Sequence, residues 1–254
     1  MKETSSEKEN VMRLLLSGQQ ESIELGLAIA ESLQIDIKVF LSEIETLYNW
    51  MTDAHQWEPE QWKIEGLPLS MKLAKLIPLT EIAHSGSQAP REFIRLFIIP
   101  AEIKYLVNLE SLDLSLNSVY EIPPEIGFLT KLEDLDLSSN DLVSISPEIE
   151  KCQNLRSLNL HRTDLSNLPP EIGNCSQLFY LNLSYNKLKS LPSKIGELIN
   201  LENLNLRYNQ LTDLPEEIHQ LVNLKYLDLA GNPLSIQEKD KIRCWLPNCA
   251  IIFE

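Results

Sequence analysis

A frame of 23 residues, Leu-x-x-Leu-x-Leu-x-x-Asn-x-Leu-x-x-Leu-Pro, recurs six times without an insertion in the second half of the chain. The copies begin at Leu109, Leu132, Leu155, Leu178, Leu201 and Leu224. One period earlier, the segment LFIIPAEIKYL keeps the apolar and proline positions of the frame and forms a half-repeat. A strict period of this length is typical of solenoids, in which each unit stacks only on its neighbours.

The two halves of the frame predict different local structures. Two leucines that flank one polar residue, as in LDL or LNL, alternate as in a short strand whose leucines point inward. The PxEIGxL stretch that follows has apolar residues three positions apart, which predicts a turn of 3₁₀ or α helix on the opposite side. Because each unit has two apolar flanks, stacking buries its Leu and Ile side chains at about 1.5–3 kcal/mol for each one fully buried.

An asparagine recurs where the chain turns away from each predicted strand. An amide side chain offers both a donor and an acceptor, so it can satisfy backbone groups that the turn leaves unpaired. The third repeat has Thr163 in this place, which has no amide, and we expect a local weak point there. The predicted asparagine ladder consists of Asn117, Asn140, Asn186, Asn209 and Asn232.

These repeats resemble the leucine-rich-repeat superfamily, specifically its typical 23-residue class with LPxxIxxL in the convex half, over about residues 94–254. Similar repeats occur in Ras-pathway scaffolds, in plant proteins and in many bacterial proteins. The resemblance implies an α/β solenoid shaped like a horseshoe, with a parallel sheet on the concave face and short helical turns on the convex face. It also implies that the concave face binds another protein. The tail GNPLSIQEKDKIRCWLPNCAIIF resembles the C-terminal cap of bacterial members, a short helix followed by a closing strand.

The first 93 residues lack the repeat. Their apolar spacing predicts helices around VMRLLL, over residues 21–33 and over residues 37–51, and SGSQAP at 85–90 predicts a loop. Two interpretations remain open, a helical cap packed on the first repeat and a small helical domain with its own partner. The predicted organisation is a helical N-terminal region over 1–93, a repeat array over 94–234 and a C-terminal cap over 235–254.

Charge and composition exclude several classes of protein. The net charge of −15 and the pI near 4.7 argue against nucleic acid or an anionic membrane as the partner. The chain has no apolar run long enough to span a bilayer and no secretory signal at its start, so we expect a cytoplasmic protein.

Four cysteines do not make a disulfide scaffold in a chain of this length. Cys152 and Cys175 replace leucines of the frame and are expected to be buried, whereas the redox state of Cys244 and Cys249 is left open.

The outward positions of the predicted strands differ along the array. Repeats one and two present the aspartates Asp113, Asp134 and Asp136, whereas later repeats present histidine, arginine and tyrosine. Tyrosine and arginine most often carry the binding energy of protein interfaces, and two arginines stand out on a chain this acidic. We predict partner contacts on the concave face, centred on repeats three to five, at Asp136, His161, Arg162, Tyr180, Tyr185, Arg207, Tyr208 and Tyr226.

Catalytic, cofactor and metal motifs are missing from the sequence. The four histidines lie in no metal or nucleophile motif, and no glycine-rich phosphate loop is present. His161 and Asp136 could form an acid–base pair, but an open face does not desolvate them. We expect a non-enzymatic protein-binding module or scaffold, monomeric, without cofactor or metal. The alternatives are a regulatory or inhibitory subunit of an enzyme, an exported effector that binds a host protein, and a catalytic protein that uses the N-terminal region.

Overall fold

The computed structural model describes residues 5–17, 19–32, Ser42, Thr46, 81–83 and 98–254. Two helices, α1 (Ser5–Leu15) and α2 (Gln20–Ser32), lie at the N-terminal end and pack on each other, with Gly26 of α2 against Leu15 of α1. They correspond to the first two predicted helices. The third predicted helix, over 37–51, and the predicted loop at 85–90 lie outside the described residues, apart from the two single positions named above.

Among the described residues, eight short strands form one parallel sheet whose strand order follows the chain. They are β1 (Glu81–Ala83), β2 (Ser111–Asp113), β3 (Asp134–Asp136), β4 (Ser157–Asn159), β5 (Tyr180–Asn182), β6 (Asn203–Asn205), β7 (Tyr226–Asp228) and β8 (Ala250–Ile252). From β2 to β7 each residue pairs with the residue 23 positions further on. Residues at the same position of successive repeats therefore lie next to one another in the sheet, and we call such a row a column.

The half-repeat and repeats one to five each lead to the next strand through a five-residue 3₁₀ turn. The turns are Ala101–Tyr105, Pro124–Phe128, Pro147–Lys151, Pro170–Asn174, Ser193–Glu197 and Glu216–Gln220. A proline stands at the first position of each turn or directly before it, where its fixed φ is favourable and no backbone N–H is needed. The frame leucines and isoleucines between strands and turns are buried. The predicted fold class, an α/β solenoid of stacked repeats with a helical N-terminal cap, is confirmed.

The first strand lies in a segment that has no repeat. Glu81 of β1 pairs with Ser111 of β2, 30 positions further on, whereas strands β2 to β7 pair with one another at 23 positions. Because this connection is longer than a repeat, extending the period backwards does not reach β1. The sheet thus begins within residues 1–93, before the half-repeat at which the sequence frame starts.

The C-terminal segment forms helix α3 (Ile236–Trp245) and strand β8. Ser235 precedes the helix, and its hydroxyl accepts a hydrogen bond from the backbone N–H of Glu238 at 3.1 Å, which caps the helix. Ile242 of α3 is fully buried, and β8 pairs with β7, so this segment covers the last repeat. Over the part of the chain that the structure describes, every helix is too short or too polar to cross a membrane.

Candidate functional site

An aspartate or asparagine ends each repeat strand and fixes the turn that follows. Its side-chain oxygen accepts a hydrogen bond from the backbone N–H two residues further on, at 2.8 Å between Asp136 and Ser138 and at 3.0 Å between Asn205 and Arg207. The second carboxylate oxygen of Asp136 accepts a hydrogen bond from the amide of Asn159 at 2.8 Å. These Asx turns occupy much of the hydrogen-bonding capacity of Asp136. The recurrence of Asp or Asn at this one position was the signal that could have identified them.

A column of left-handed residues follows the Asx turns. The backbone φ is 53° at Arg162, 57° at Tyr185 and 52° at Tyr208, and Gly231 takes this place in the sixth repeat with φ 74°. The backbone N–H of Tyr185 donates to the carbonyl of Arg207 in the next repeat at 2.8 Å. The bonding between repeats therefore continues past the strands, so the side chains of this column stand one above the other.

Three rings of neighbouring repeats form what we call the aromatic stack, which consists of His161, Tyr185 and Tyr208. The ring centroids of His161 and Tyr185 are 5.2 Å apart in an edge arrangement, and those of Tyr185 and Tyr208 are 4.6 Å apart. A Cβ atom on Gly231 would lie 2.4 Å from Cδ1 of Tyr208, so this glycine leaves the room that the last ring occupies. Tyr185 and Tyr208 remain 47% and 44% exposed, which leaves large aromatic surfaces available to a partner.

Two arginines lie beside the aromatic stack in different environments. The guanidinium carbon of Arg207 is 4.8 Å from the ring centroid of Tyr208, and its Nη1 is 3.7 Å from Oδ2 of Asp228. Hydrogen bonds to the hydroxyls of Tyr208 and Tyr185 raise the pKa of Arg207 above its ordinary value. Arg162 is exposed, and its side chain makes no ion pair within the described part of the chain.

The predicted contact residues fall into two groups. One group consists of the aromatic stack with its two arginines: His161, Arg162, Tyr185, Arg207 and Tyr208. Tyr180 and Tyr226 lie at the first position of their strands, in another column, and are half-buried. The hydroxyl of Tyr180 accepts from Asn182 at 3.2 Å, and that of Tyr226 donates to Asp228 at 3.4 Å. Tyr180 and Asp136 line a separate depression of about 280 Å³.

The surroundings of His161 favour its neutral form. Its Nδ1 lies 2.8 Å from Oγ of Ser184, and this hydroxyl donates its proton to Oδ1 of Asn182 at 2.7 Å. The serine oxygen can thus accept a hydrogen bond from an uncharged imidazole. Burial, together with the positive charge of Arg162, lowers the pKa of His161 from its ordinary value of 6.5, against the weaker opposing effect of Asp136.

The lowered pKa of His161 predicts a pH dependence of stability. Because the folded state holds the proton less tightly than the unfolded state, the unfolded state binds more protons below about pH 6.5. The free energy of unfolding is therefore expected to decrease as the pH falls from neutrality to about 5, and to decrease less in His161→Gln. Urea denaturation of both proteins across this range measures the difference. Parallel pH profiles would contradict the prediction.

The asparagine column bonds to the backbone of two neighbouring repeats. The amide of Asn186 donates to the carbonyls of Leu160 at 2.8 Å and Leu183 at 3.1 Å, and its oxygen accepts from the N–H of Leu165 at 3.1 Å. Asn140, Asn209 and Asn232 repeat this pattern, and the amide of Asn117 donates to the carbonyls of Leu114 and Ser115. Thr163 donates its hydroxyl to the Asn186 oxygen at 2.6 Å, so its polar group is satisfied. The expected weak point at this repeat stays a prediction.

All four cysteines are free thiols. Cys152 and Cys175 are fully buried, and burial raises the pKa of both thiols to about 12, which keeps them protonated and unreactive. Each sulfur lies 3.4 Å from a backbone carbonyl oxygen of the preceding turn. Cys152 and Cys175 thus act as small core residues. Among the residues that the structure describes, no three His, Cys, Asp or Glu side chains are grouped so that they could hold a metal ion.

Comparisons with known proteins give a consistent result. A family model described as a leucine-rich repeat region matches residues 137–237, and a model described as a leucine-rich repeat matches residues 108–129. A search of curated protein sequences finds no match.

Two similar solved structures come from different organisms. The first is an LRR protein of Leptospira interrogans, with 34% sequence identity over 73% of this chain and a TM-score of 0.55. The second is the LRR ectodomain of the membrane receptor kinase GASSHO1/SCHENGEN3 from Arabidopsis thaliana, in complex with CASPARIAN STRIP INTEGRITY FACTOR 2. It has 30% identity over 65% of this chain and a TM-score of 0.56. The chain spans 51% of the length of the first structure and 20% of the second.

Proposed function

The chain belongs to the leucine-rich-repeat superfamily, and we propose that it is a non-enzymatic binding module that recognises a partner protein on its concave face. The observation that carries this proposal is the exposed aromatic stack, flanked by Arg162 and Arg207. Tyrosine and arginine are enriched among residues that dominate binding energy at interfaces. The similar Arabidopsis ectodomain, in complex with CASPARIAN STRIP INTEGRITY FACTOR 2, shows that a related repeat array can take a partner.

Rigid positioning of the aromatic stack favours binding. The rings contact one another across repeats, and the backbone beneath them is bonded to the next repeat on each level. Such side chains lose little conformational freedom when a partner arrives, so less of the contact energy is consumed by ordering. The concave face can therefore bind a partner without first rearranging its side chains.

The polar side chains of the concave face favour a binding role over a catalytic one. Asp136 uses both carboxylate oxygens in hydrogen bonds to Ser138 and Asn159, and the imidazole of His161 is bonded to Ser184. Groups that are engaged in this way maintain the turn geometry and are poorly placed to transfer protons to a substrate.

We also propose that the module is a cytoplasmic monomer, and its four free cysteines suit a reducing compartment.

The proposal is tested by quantitative capture from native lysate with immobilised wild-type protein and the variant Arg162→Glu/Tyr185→Ala/Tyr208→Ala. We expect the captured partner to bind the variant at least tenfold more weakly, about 1.4 kcal/mol or more, because the exposed anchors are removed. The melting temperature should change little, since both tyrosines are exposed. Lys194→Glu, on the 3₁₀ turn Ser193–Glu197 of the convex side, makes the same charge change as Arg162→Glu and serves as the control. Equal capture by wild type and triple variant would place the binding site elsewhere.

A further inference from the structure

A shallow cavity of about 680 Å³ runs along the turn side of the concave face, and we call it the ladder groove. Its inner side is the left-handed column, which changes along the groove from Leu116 through Ser139 and Arg162 to Tyr185 and Tyr208. Residues of the asparagine ladder also line it. The ladder groove crosses five successive repeats and therefore has the form of a channel for an extended chain that runs perpendicular to the strands.

The charges along the ladder groove are unevenly compensated. Asp164 lies in an ion pair with Lys187 at 2.8 Å, so its charge is already matched. Arg162 is exposed and, within the described residues, has no ion pair. One repeat earlier, Asp141 is exposed and lines the same groove. A ligand carboxylate is thus favoured beside Arg162 and disfavoured beside Asp141, which fixes its position along the groove.

We infer that the ladder groove binds an extended peptide segment in which one acidic side chain lies between an aliphatic residue and an aromatic residue. This inference rests on the proposed function and specifies the partner's chemistry. The acidic side chain would pair with the guanidinium of Arg162, whose planar fork can donate two parallel hydrogen bonds to a carboxylate. The aromatic residue would pack on the exposed rings of Tyr185 and Tyr208, and the aliphatic residue on Leu116, which is 43% exposed.

The spacing of the repeats sets the spacing within the peptide. Neighbouring parallel strands lie about 4.8 Å apart, so Leu116 and Arg162, two repeats apart, are separated by about 10 Å along the groove. An extended peptide rises about 3.3 Å per residue, so about three residues separate the aliphatic position from the acid. Tyr185 and Tyr208 are one and two repeats beyond Arg162, which places the aromatic residue about two or three residues past the acid.

The test is selection of random dodecapeptides displayed on phage against the immobilised full chain, followed by affinity measurement on synthetic copies of the enriched peptides. We expect enriched peptides to contain an aspartate or glutamate at this spacing from an aromatic residue. Arg162→Glu should weaken their binding at least tenfold, whereas Lys194→Glu should leave it within about twofold of wild type. Replacing the peptide's acid by lysine should restore binding to Arg162→Glu and abolish binding to wild type.

The outcomes separate this inference from the proposed function. Enriched peptides without an acid, or peptides equally sensitive to both charge reversals, would overturn the acidic anchor and leave the concave face to be tested by the capture experiment. A failure to enrich any peptide would overturn recognition of an extended segment, and a folded partner would still be detected by the capture experiment. Peptides that bind the Arg162→Glu/Tyr185→Ala/Tyr208→Ala variant as tightly as wild type would contradict both proposals.

Discussion

Replacing Asn186 with alanine is expected to lower the free energy of unfolding by about 2 kcal/mol, because the buried N–H of Leu165 loses its hydrogen bond and the carbonyls of Leu160 and Leu183 each lose one of their two side-chain donors. The amide of Asn186 bonds to carbonyls of Leu160 and Leu183 and to the N–H of Leu165, and its oxygen also accepts the hydroxyl of Thr163. Asn186 is only 7% exposed, so water cannot replace these bonds. Denaturation in urea, followed by circular dichroism, measures the change.

The control for this substitution is Asn167→Ala. Asn167 is exposed, and within the described part of the chain its amide donates a hydrogen bond only to the neighbouring hydroxyl of Ser166. Its loss should change the free energy of unfolding by no more than about 0.5 kcal/mol. If Asn186→Ala and Asn167→Ala unfold at the same urea concentration, the asparagine column does not stabilise the stack. A difference confined to Asn186 would assign the stability to the bonds between repeats.

The repeat period predicts most of the array because every repeat has the same pattern of apolar residues and proline. Once a strand is assigned to LNL, the flanking Leu158 and Leu160 must point inward, and both are fully buried. The proline that follows each repeat strand predicts where the helical turn begins, and the turn Pro170–Asn174 begins there. The strand, the turn and the buried residues of each repeat thus follow from the same pattern. A wrong assignment in one repeat would therefore disagree with the assignments in the other repeats.

Features that break the period could not be predicted in this way. Strand β1 is 30 positions from its partner, so its three residues carry no signal that the repeat frame can detect. The pair between Arg207 and Asp228 joins residues 21 positions apart and crosses from one column to another. Such contacts depend on side-chain reach and rotamer, which a repeat pattern does not specify.

Prediction of the candidate site requires knowledge of the bend of the backbone as well as the pattern of residues. The sequence prediction groups Tyr180 and Tyr185 on the concave face, although strict alternation along an extended strand would place residues five positions apart on opposite faces. Strand β5 ends at Asn182, and the left-handed conformation of Tyr185 moves its side chain into the column of Tyr208. The Asx turn that produces this bend depends on the aspartate or asparagine at the strand end, a role that the sequence analysis missed for Asp136. The stacking of Tyr185 on Tyr208 thus follows from residues that precede it in each repeat.

Replacing Gly173 with alanine is expected to lower the free energy of unfolding by about 2 kcal/mol, because the new methyl group would collide with the next repeat. A Cβ atom on Gly173 would lie 2.3 Å from the carbonyl oxygen of Lys194. Both residues belong to 3₁₀ turns, so relief requires the separation of two turn backbones and not the rotation of a side chain. The stack would open on its convex side, and the apolar contacts between the two repeats would weaken.

A graded series of glycine substitutions separates this collision from the general effect of losing a glycine. Any Gly→Ala change restricts the unfolded chain and, at a compatible position, stabilises by about 0.4–1 kcal/mol. At Gly127 the nearest atoms to an added Cβ are 2.9 Å away and one of them is a lysine side-chain carbon, so a smaller loss is expected there than at Gly173. Gly196 should resemble Gly173, since a Cβ would lie 2.4 Å from the carbonyl oxygen of Glu217.

Melting temperatures that fall in the order wild type, Gly127→Ala, Gly196→Ala and Gly173→Ala would locate the tightest packing of the solenoid between its turns. If all three variants melt at the same temperature as the wild type, the turns can move apart without loss of stability, and their contact does not set the curvature of the concave face.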